Sequence, residues 1–249
     1  AKAVAVIASY GGNITDYEGG GKVPGAVVPM IAIPTTAGTG SEVTAFSVIT
    51  DHSRNYKLTV VSNYLLPAYA ILDPELITTV PKSTAAACGI DAMVHALEAF
   101  ISKAASPFSD LFAKEALRLI GTSIRDYVLD RSNLAACEAM LTGSLFAGIA
   151  FSHARLGDVH AMSHPVSAYF DVAHGVANAV LLPTIVDYNM TYASEKYKYI
   201  YDCICEKPLS DDAFTPEMLA AEIRVLNDEL GIPSSLSEVG VDSSLFDKM

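Results

Sequence analysis

An α/β segment followed by an all-helical domain is the fold class this sequence predicts, with the change of texture between Pro74 and Pro81. Three observations carry that expectation. Up to about Leu76 the chain consists of short β-branched runs punctuated by Pro, Gly and Asp. Beyond Pro81 the apolar residues recur with the helical period over five or more turns at a time. No internal repeat or low-complexity stretch interrupts either part.

Taken in order, Ala1 to Ala8 has an apolar helical pattern but neither an initiating methionine nor an N-cap residue. "VPMIAIPTT", "AFSVIT", "YKLTVVS" and "AYAILDP" predict strands. "KSTAAACGIDAMVHALEAFIS", "SDLFAKEALRLIGTSIRDYVLD" and "NLAACEAMLTGSLFAGIAFSHAR" predict long helices punctuated by Pro107 and Ser132. A further helix is expected to begin near His174, and another in "TPEMLAAEIRVLNDELG" to end at Gly231, a favourable residue just past a helix. The expected division is therefore 1–80 for the α/β part and 81–249 for the helical part. The closing "DSSLFDKM" reads as a helix start cut after one turn, so the chain is expected to be the middle of a longer one.

Half of the 249 residues are apolar and 18% are charged, which describes a chain with a large core. Sixteen basic residues against 28 acidic ones leave a net charge of −12. With no basic run, that balance argues against nucleic acid or an anionic membrane as partner. No run of about 18 uninterrupted apolar residues is present. Cys88, Cys137, Cys203 and Cys205 lack the spacing of a zinc knuckle or a redox pair, so reduced thiols in the cytoplasm are expected.

The helices are so rich in alanine that several must be buried on most faces, which makes their few polar residues informative. Asp91 and His95 lie four residues apart in "ACGIDAMVHALEAF", one turn apart on one face. A buried carboxylate costs several kcal/mol unless a cation compensates it. His160 and His164 repeat the four-residue spacing, and His174 opens the next helix. Two such pairs within one helical domain suit a divalent metal held between facing helices, with either His160 or His164 as a ligand and the other behind it. Iron, zinc and cobalt all accept one carboxylate and three imidazoles. His52, in "TDHSRN", reads as a turn residue. After the first apolar strand, Thr35, Thr36, Gly38, Thr39, Gly40 and Ser41 offer hydroxyls and open backbone N–H groups suited to phosphate or ribose oxygens. The loop is neither a P-loop nor GxGxxG, and Glu42 would disfavour a phosphate unless it points away. Lys57 starts or lies within the following strand.

Four blocks, "IPTTAGTGSEVT", "GIDAMVHALEAF", "GDVHAMSHPVSAYF" and "HGVANAVLLP", resemble in order and spacing the signature blocks of the iron-containing alcohol dehydrogenases. The resemblance runs from the first residue to about Tyr188 and more loosely beyond. It implies an N-terminal α/β dinucleotide-binding domain and a C-terminal helical metal domain, an architecture shared with dehydroquinate synthases. It also implies Fe2+, with Zn2+ an alternative, held by Asp91, His95, His160 and His174. His164 would stand between nicotinamide and metal as the catalytic residue. Thr35, Thr36, Gly38 and Thr39 would contact NAD or NADP, and Lys57 would lie near the nicotinamide ribose. The implied substrate is a small alcohol or its aldehyde or ketone, and relatives of this kind are commonly dimers or larger, so a homo-oligomer is expected. A metal-dependent lyase on the same scaffold is the alternative. The family's Gly-Gly-Gly-Ser turn, its first strands and its last helices would lie outside this chain, which is therefore expected to hold the metal better than the dinucleotide.

Overall fold

The structure, a computed structural model, describes residues 1–207 and 209–249, the side chain of Ser194 excepted. Helix α1 (Lys2–Tyr10) buries Ala5 and Val6. Five strands follow: β1 (Gly19–Gly20), β2 (Ile31–Ala32), β3 (Phe46–Asp51), β4 (Tyr56–Val61) and β5 (Tyr69–Ala70). One sheet has the order β1-β4-β3, with β1 parallel and β3 antiparallel to the central β4. The β3–β4 hairpin pairs Phe46 with Val61 through to Asp51 with Tyr56. Its turn is held by the Asp51 carboxylate, which accepts from the Ser53 N–H and hydroxyl and from Arg54 Nε. Alternation along β4 sends Leu58 and Val60 into a small core with Val6, Tyr17, Val23 and Leu65.

β2 and β5 form a second, parallel pair of only two residues each. "VPMIAIPTT" and "AYAILDP" are strand-like in composition, but Pro29, Pro34, Pro67 and Pro74 offer no N–H to a ladder, so pairing stops beside them.

Six helices make the remainder: α2 (Lys82–Ile101), α3 (Pro107–Leu129), α4 (Leu134–Ala154), α5 (Asp158–Phe170), α6 (His174–Ile204) and α7 (Pro216–Leu230). Their ends follow local chemistry. Ser106 accepts from the Ser109 N–H ahead of Pro107, Asn133 accepts from the Ala136 N–H, and Gly231 closes α7 at φ 73°. α2 lies at the centre, buried from Gly89 through Phe100 without a break. Ala37, Ile77 and Val80, from the N-terminal part, belong to this helical core and tie the Thr-Gly loop to it. α2 and α4 are long and apolar enough to cross a bilayer; in this fold 83% of the most apolar window of α2 and 56% of that of α4 are buried. The four cysteines are free.

α6 runs for 31 residues with Pro183 inside it. Pro183 cannot donate to the carbonyl of Ala179 four residues earlier. Asn227 of α7, itself buried, fills that vacancy: its Nδ2 donates to the Ala179 oxygen at 2.7 Å. Asn227→Ala therefore strands a buried carbonyl and is expected to cost about 1–3 kcal/mol in chemical denaturation; an unchanged midpoint would contradict that role.

Candidate metal centre

α2, α5 and α6 converge on one point. α2 supplies Asp91 and His95, α5 supplies His160 and His164, and α6 begins with His174. The Oδ1 of Asp91 is 3.7 Å from His160 Nε2, 3.7 Å from His174 Nε2 and 3.9 Å from His95 Nε2. Two donors about 2.1 Å from one ion at a tetrahedral angle lie about 3.4 Å apart, so these separations are within a few tenths of an ångström of a ligand set. Donor atoms of Asp91, His160 and His174 all fall within 4.8 Å of one another, with His95 outside that closest set. The His95 ring is stacked between Phe151 and His160, with centroids 4.5 and 4.6 Å away.

Each imidazole is oriented from behind or left ready. The Gly38 carbonyl lies 3.2 Å from His95 Nδ1 and accepts a hydrogen bond from its N–H, leaving Nε2 to face Asp91. The Glu98 carboxylate lies 2.7 Å from His160 Nδ1. His174 Nδ1 is buried without a hydrogen-bond partner. Burial pulls the pKa of His95 and His174 down to about 4, so both are neutral near pH 7 with lone pairs to offer. Burial acts the same way on His160, but the carboxylates of Asp91 and Glu98 on either side of it outweigh burial and lift the group to about 9. For Asp91 burial is the largest influence and would raise the carboxyl; the surrounding histidines reverse it and hold the group well below the usual range.

Asn178 stands one turn after His174 on α6, fully buried. Its Nδ2 lies 2.7 Å from Asp91 Oδ1, 3.2 Å from His160 Nε2 and 3.3 Å from His174 Nε2. A partly positive N–H2 group is thus aimed at the point where the Asp91 oxygen and two imidazole nitrogens meet, while its Oδ1 has no partner. A buried carboxylate, converging imidazole lone pairs and a donor drawn to the same point are what a cation site requires. The donor set fits a divalent metal.

A cavity of about 700 Å³ opens over this cluster. Asp91 and the four clustered histidines line it, together with the apolar Phe46, Phe151 and Leu156 and the polar Thr39, Ser41 and Lys57. His164 faces the cavity, its ring centroid 5.2 Å from that of His174. Burial, with help from His160 and Lys57, lowers its pKa to about 4. Lys57 donates to Thr50 Oγ1 at 2.7 Å, and partial burial lowers its pKa.

The Thr-Gly loop divides. Thr39 lines the cavity, and Ser41 does too, but Thr35 and Thr36 are not among the lining residues. Gly38 is buried, with its backbone committed to His95. Gly40, at φ 57°, lies against Gly148 of α4, where a side-chain carbon would come within 2.7 Å of backbone. That close approach presses the loop onto the bundle. Glu42 is buried rather than turned to the cavity, and burial raises its pKa while nearby Lys2 opposes the rise. His52 lies in the exposed hairpin turn, away from the cluster.

Two site residues escape a reading of the sequence. Glu98 follows Asp91 by seven residues, two helical turns along the same face, and that spacing was a usable signal. Asn178 carried the same kind of signal, four residues after His174 in an apolar helix.

The comparisons agree with this geometry. Residues 85–249 match the Fe-containing alcohol dehydrogenase family, C-terminal, and residues 1–74 match iron-containing alcohol dehydrogenase. The chain is 40% identical over 249 residues to 1,3-propanediol dehydrogenase of Klebsiella pneumoniae, covering 100% of this chain and 64% of that protein. To the NAD-dependent methanol dehydrogenase of Bacillus methanolicus it is 38% identical over 242 residues, 97% of this chain and 64% of that one. The solved alcohol dehydrogenase from Oenococcus oeni superposes with a TM-score of 0.93 at 34% identity, over 99% of this chain and 65% of its own. The chain thus spans about 64% of the length of these curated relatives. With residues 85–249 matched by one description of this family and residues 1–74 by the other, the chain belongs to the iron-containing alcohol dehydrogenase family.

Proposed function

We propose that this chain carries the metal site and part of the dinucleotide site of an NAD(P)-dependent oxidoreductase that interconverts a small alcohol and its aldehyde or ketone. The observation that supports it best is the convergence of three imidazole Nε2 atoms within 3.9 Å of one buried carboxylate oxygen, in the lining of a cavity. Asp91, His95, His160 and His174 would hold a divalent iron, with zinc the alternative occupant. Bound there, the ion supplies a Lewis acid for the substrate oxygen, and the nicotinamide supplies a hydride acceptor or donor.

The remaining work falls to the chain. Thr39 and Ser41 present hydroxyls to the dinucleotide, and Lys57 adds a cation to the lining of the same cavity. Thr35, Thr36 and Gly38, in the same loop but outside the lining of this cavity, remain candidate contacts of the dinucleotide. Phe46, Phe151 and Leu156 keep water from the reacting carbon. His164, neutral near pH 7 and facing the cavity, is placed to take or return the alcohol proton. The family matches are alcohol dehydrogenases, and nothing among them favours a lyase. Cytoplasmic residence and a homo-oligomer belong to this proposal as well; the free cysteines support the first.

The test is nicotinamide absorbance with short primary alcohols and their aldehydes, using the complete protein loaded with Fe2+. Turnover of an alcohol is expected, and a metal-loaded protein inert to every alcohol and aldehyde tried would refute the reading. His164→Ala is expected to lower turnover about 100-fold, within the usual range for a lost proton-transfer group, with metal content unchanged.

A further inference from the structure

We infer that Glu98 is a positioning residue for the metal centre: one buried carboxylate that caps helix α5 and fixes the proton of His160 on the side away from the ion. The inference rests on His160 being a ligand through Nε2. Nothing in the family match assigns a role to Glu98.

Glu98 lies on α2, two turns beyond Asp91, and is 3% exposed. Its two oxygens have separate partners. Oε1 accepts the Val159 backbone N–H at 2.7 Å, and Oε2 lies 2.7 Å from His160 Nδ1. The first bond answers a defect in α5. That helix starts after Gly157, which has no side chain to cap the free N–H groups of the first turn. A carboxylate reaching across from α2 supplies the missing acceptor and places negative charge at the positive end of the helix. Gly157 leaves the room for it, because a side-chain carbon there would meet Glu98 Oε1 at 3.1 Å.

The second bond sets the tautomer. A carboxylate can only accept, so the Nδ1 that faces it must carry hydrogen. Neutral His160 then has its lone pair on Nε2, the atom 3.7 Å from Asp91 Oδ1 and 3.2 Å from the Asn178 amide nitrogen. The Asn178 amide is a donor and suits an acceptor at Nε2, the state the ring reaches when an ion displaces the proton that Asp91 would otherwise attract there.

Glu98→Gln separates the two duties. Glutamine has one acceptor oxygen where glutamate has two. The Val159 N–H can only donate, whereas an imidazole can exchange its protonated nitrogen. The amide therefore settles with oxygen on Val159 and N–H2 on Nδ1, which drives the His160 proton to Nε2, into the position the ion needs. The cap survives and the ligand is lost.

The experiment measures Zn2+ affinity by chelator competition, alongside the melting temperature of the metal-free protein, for wild type and Glu98→Gln. Expected is a fall in affinity of about 10- to 100-fold, the range usual for partners behind a ligating histidine, with melting little changed. Wild-type affinity in Glu98→Gln, or a loss matched by an equal loss of folded protein, overturns the inference while leaving the metal site standing. A wild-type chain that takes up no zinc overturns both. A second measurement needs no variant. In zinc-loaded protein with 15N-labelled histidine, long-range correlation should place the His160 ring proton on Nδ1; a proton on Nε2 overturns the assignment.

Discussion

Asp91→Ala is expected to strip the protein of most of its bound metal, lowering affinity by more than about 100-fold. Residues that only brace a ligand are worth about 10- to 100-fold, and Asp91 is the common neighbour of every other donor in the cluster. It is also the set's only negative charge, so its loss leaves neutral imidazoles to hold a doubly charged ion in a buried site. His174→Ala should behave similarly but less severely, because His174 is the more exposed partner, its side chain 31% accessible against 6% for Asp91. Elemental analysis of the purified variants, with chelator competition for those that retain metal, measures both. Full metal retention in the two variants would refute the ligand assignment, and with it the proposed chemistry. Asn178 adds an internal control. Its amide donates to Asp91 at 2.7 Å, so Asn178→Ala should weaken binding by less than either ligand replacement.

The ligand candidates were legible in the sequence because burial and chemistry conflict there. An aspartate and histidines in Ala-rich helices need a reason to be inside, and their spacing of four residues puts each pair on one face. The long helices were legible for the converse reason: "NLAACEAMLTGSLFAGIAF" is apolar on nearly every face, rich in strong helix formers and free of proline. Glu98 was hidden by its type, since a helical glutamate is ordinarily solvated and only its phase relative to Asp91 distinguishes it. The Thr-Gly loop was readable as a loop but not in its aim. Which of its hydroxyls reach the cavity depends on Gly40 meeting Gly148, residues more than a hundred positions apart. The strands around Ile31 and Tyr69 were over-read because composition favours β while the flanking prolines deny the hydrogen bonds. Pro183 within α6 is the same lesson inverted. A proline that should end a helix is tolerated because Asn227, from another helix, satisfies the carbonyl it abandons.

Gly175→Ala is expected to cost about 1–3 kcal/mol of stability, the usual penalty for overpacking, and to weaken metal binding by about tenfold or more. Gly175 follows the ligand His174 and lies where α6 crosses α2; an added side-chain carbon would sit 2.2 Å from the Ala87 carbonyl oxygen and 2.7 Å from its carbon. Neither neighbour can yield by rotating a side chain, because both are backbone of the central helix. The two helices must separate by about an ångström to restore ordinary contact, and Ala87 lies one turn before Asp91 on the helix being pushed away. Sites of this kind hold their geometry to about 0.5 Å, so a shift of that size opens the 3.7 Å approach of His174 to Asp91. Gly231→Ala separates this cause from general fragility: its φ of 73° strains any other residue, yet it lies at the end of α7 with nothing within 4 Å. It should lower the melting temperature by backbone strain alone and leave zinc affinity at the wild-type value. Gly175→Ala protein that melts lower but binds zinc normally would show that the crossing of α2 and α6 supports the fold without setting the metal geometry.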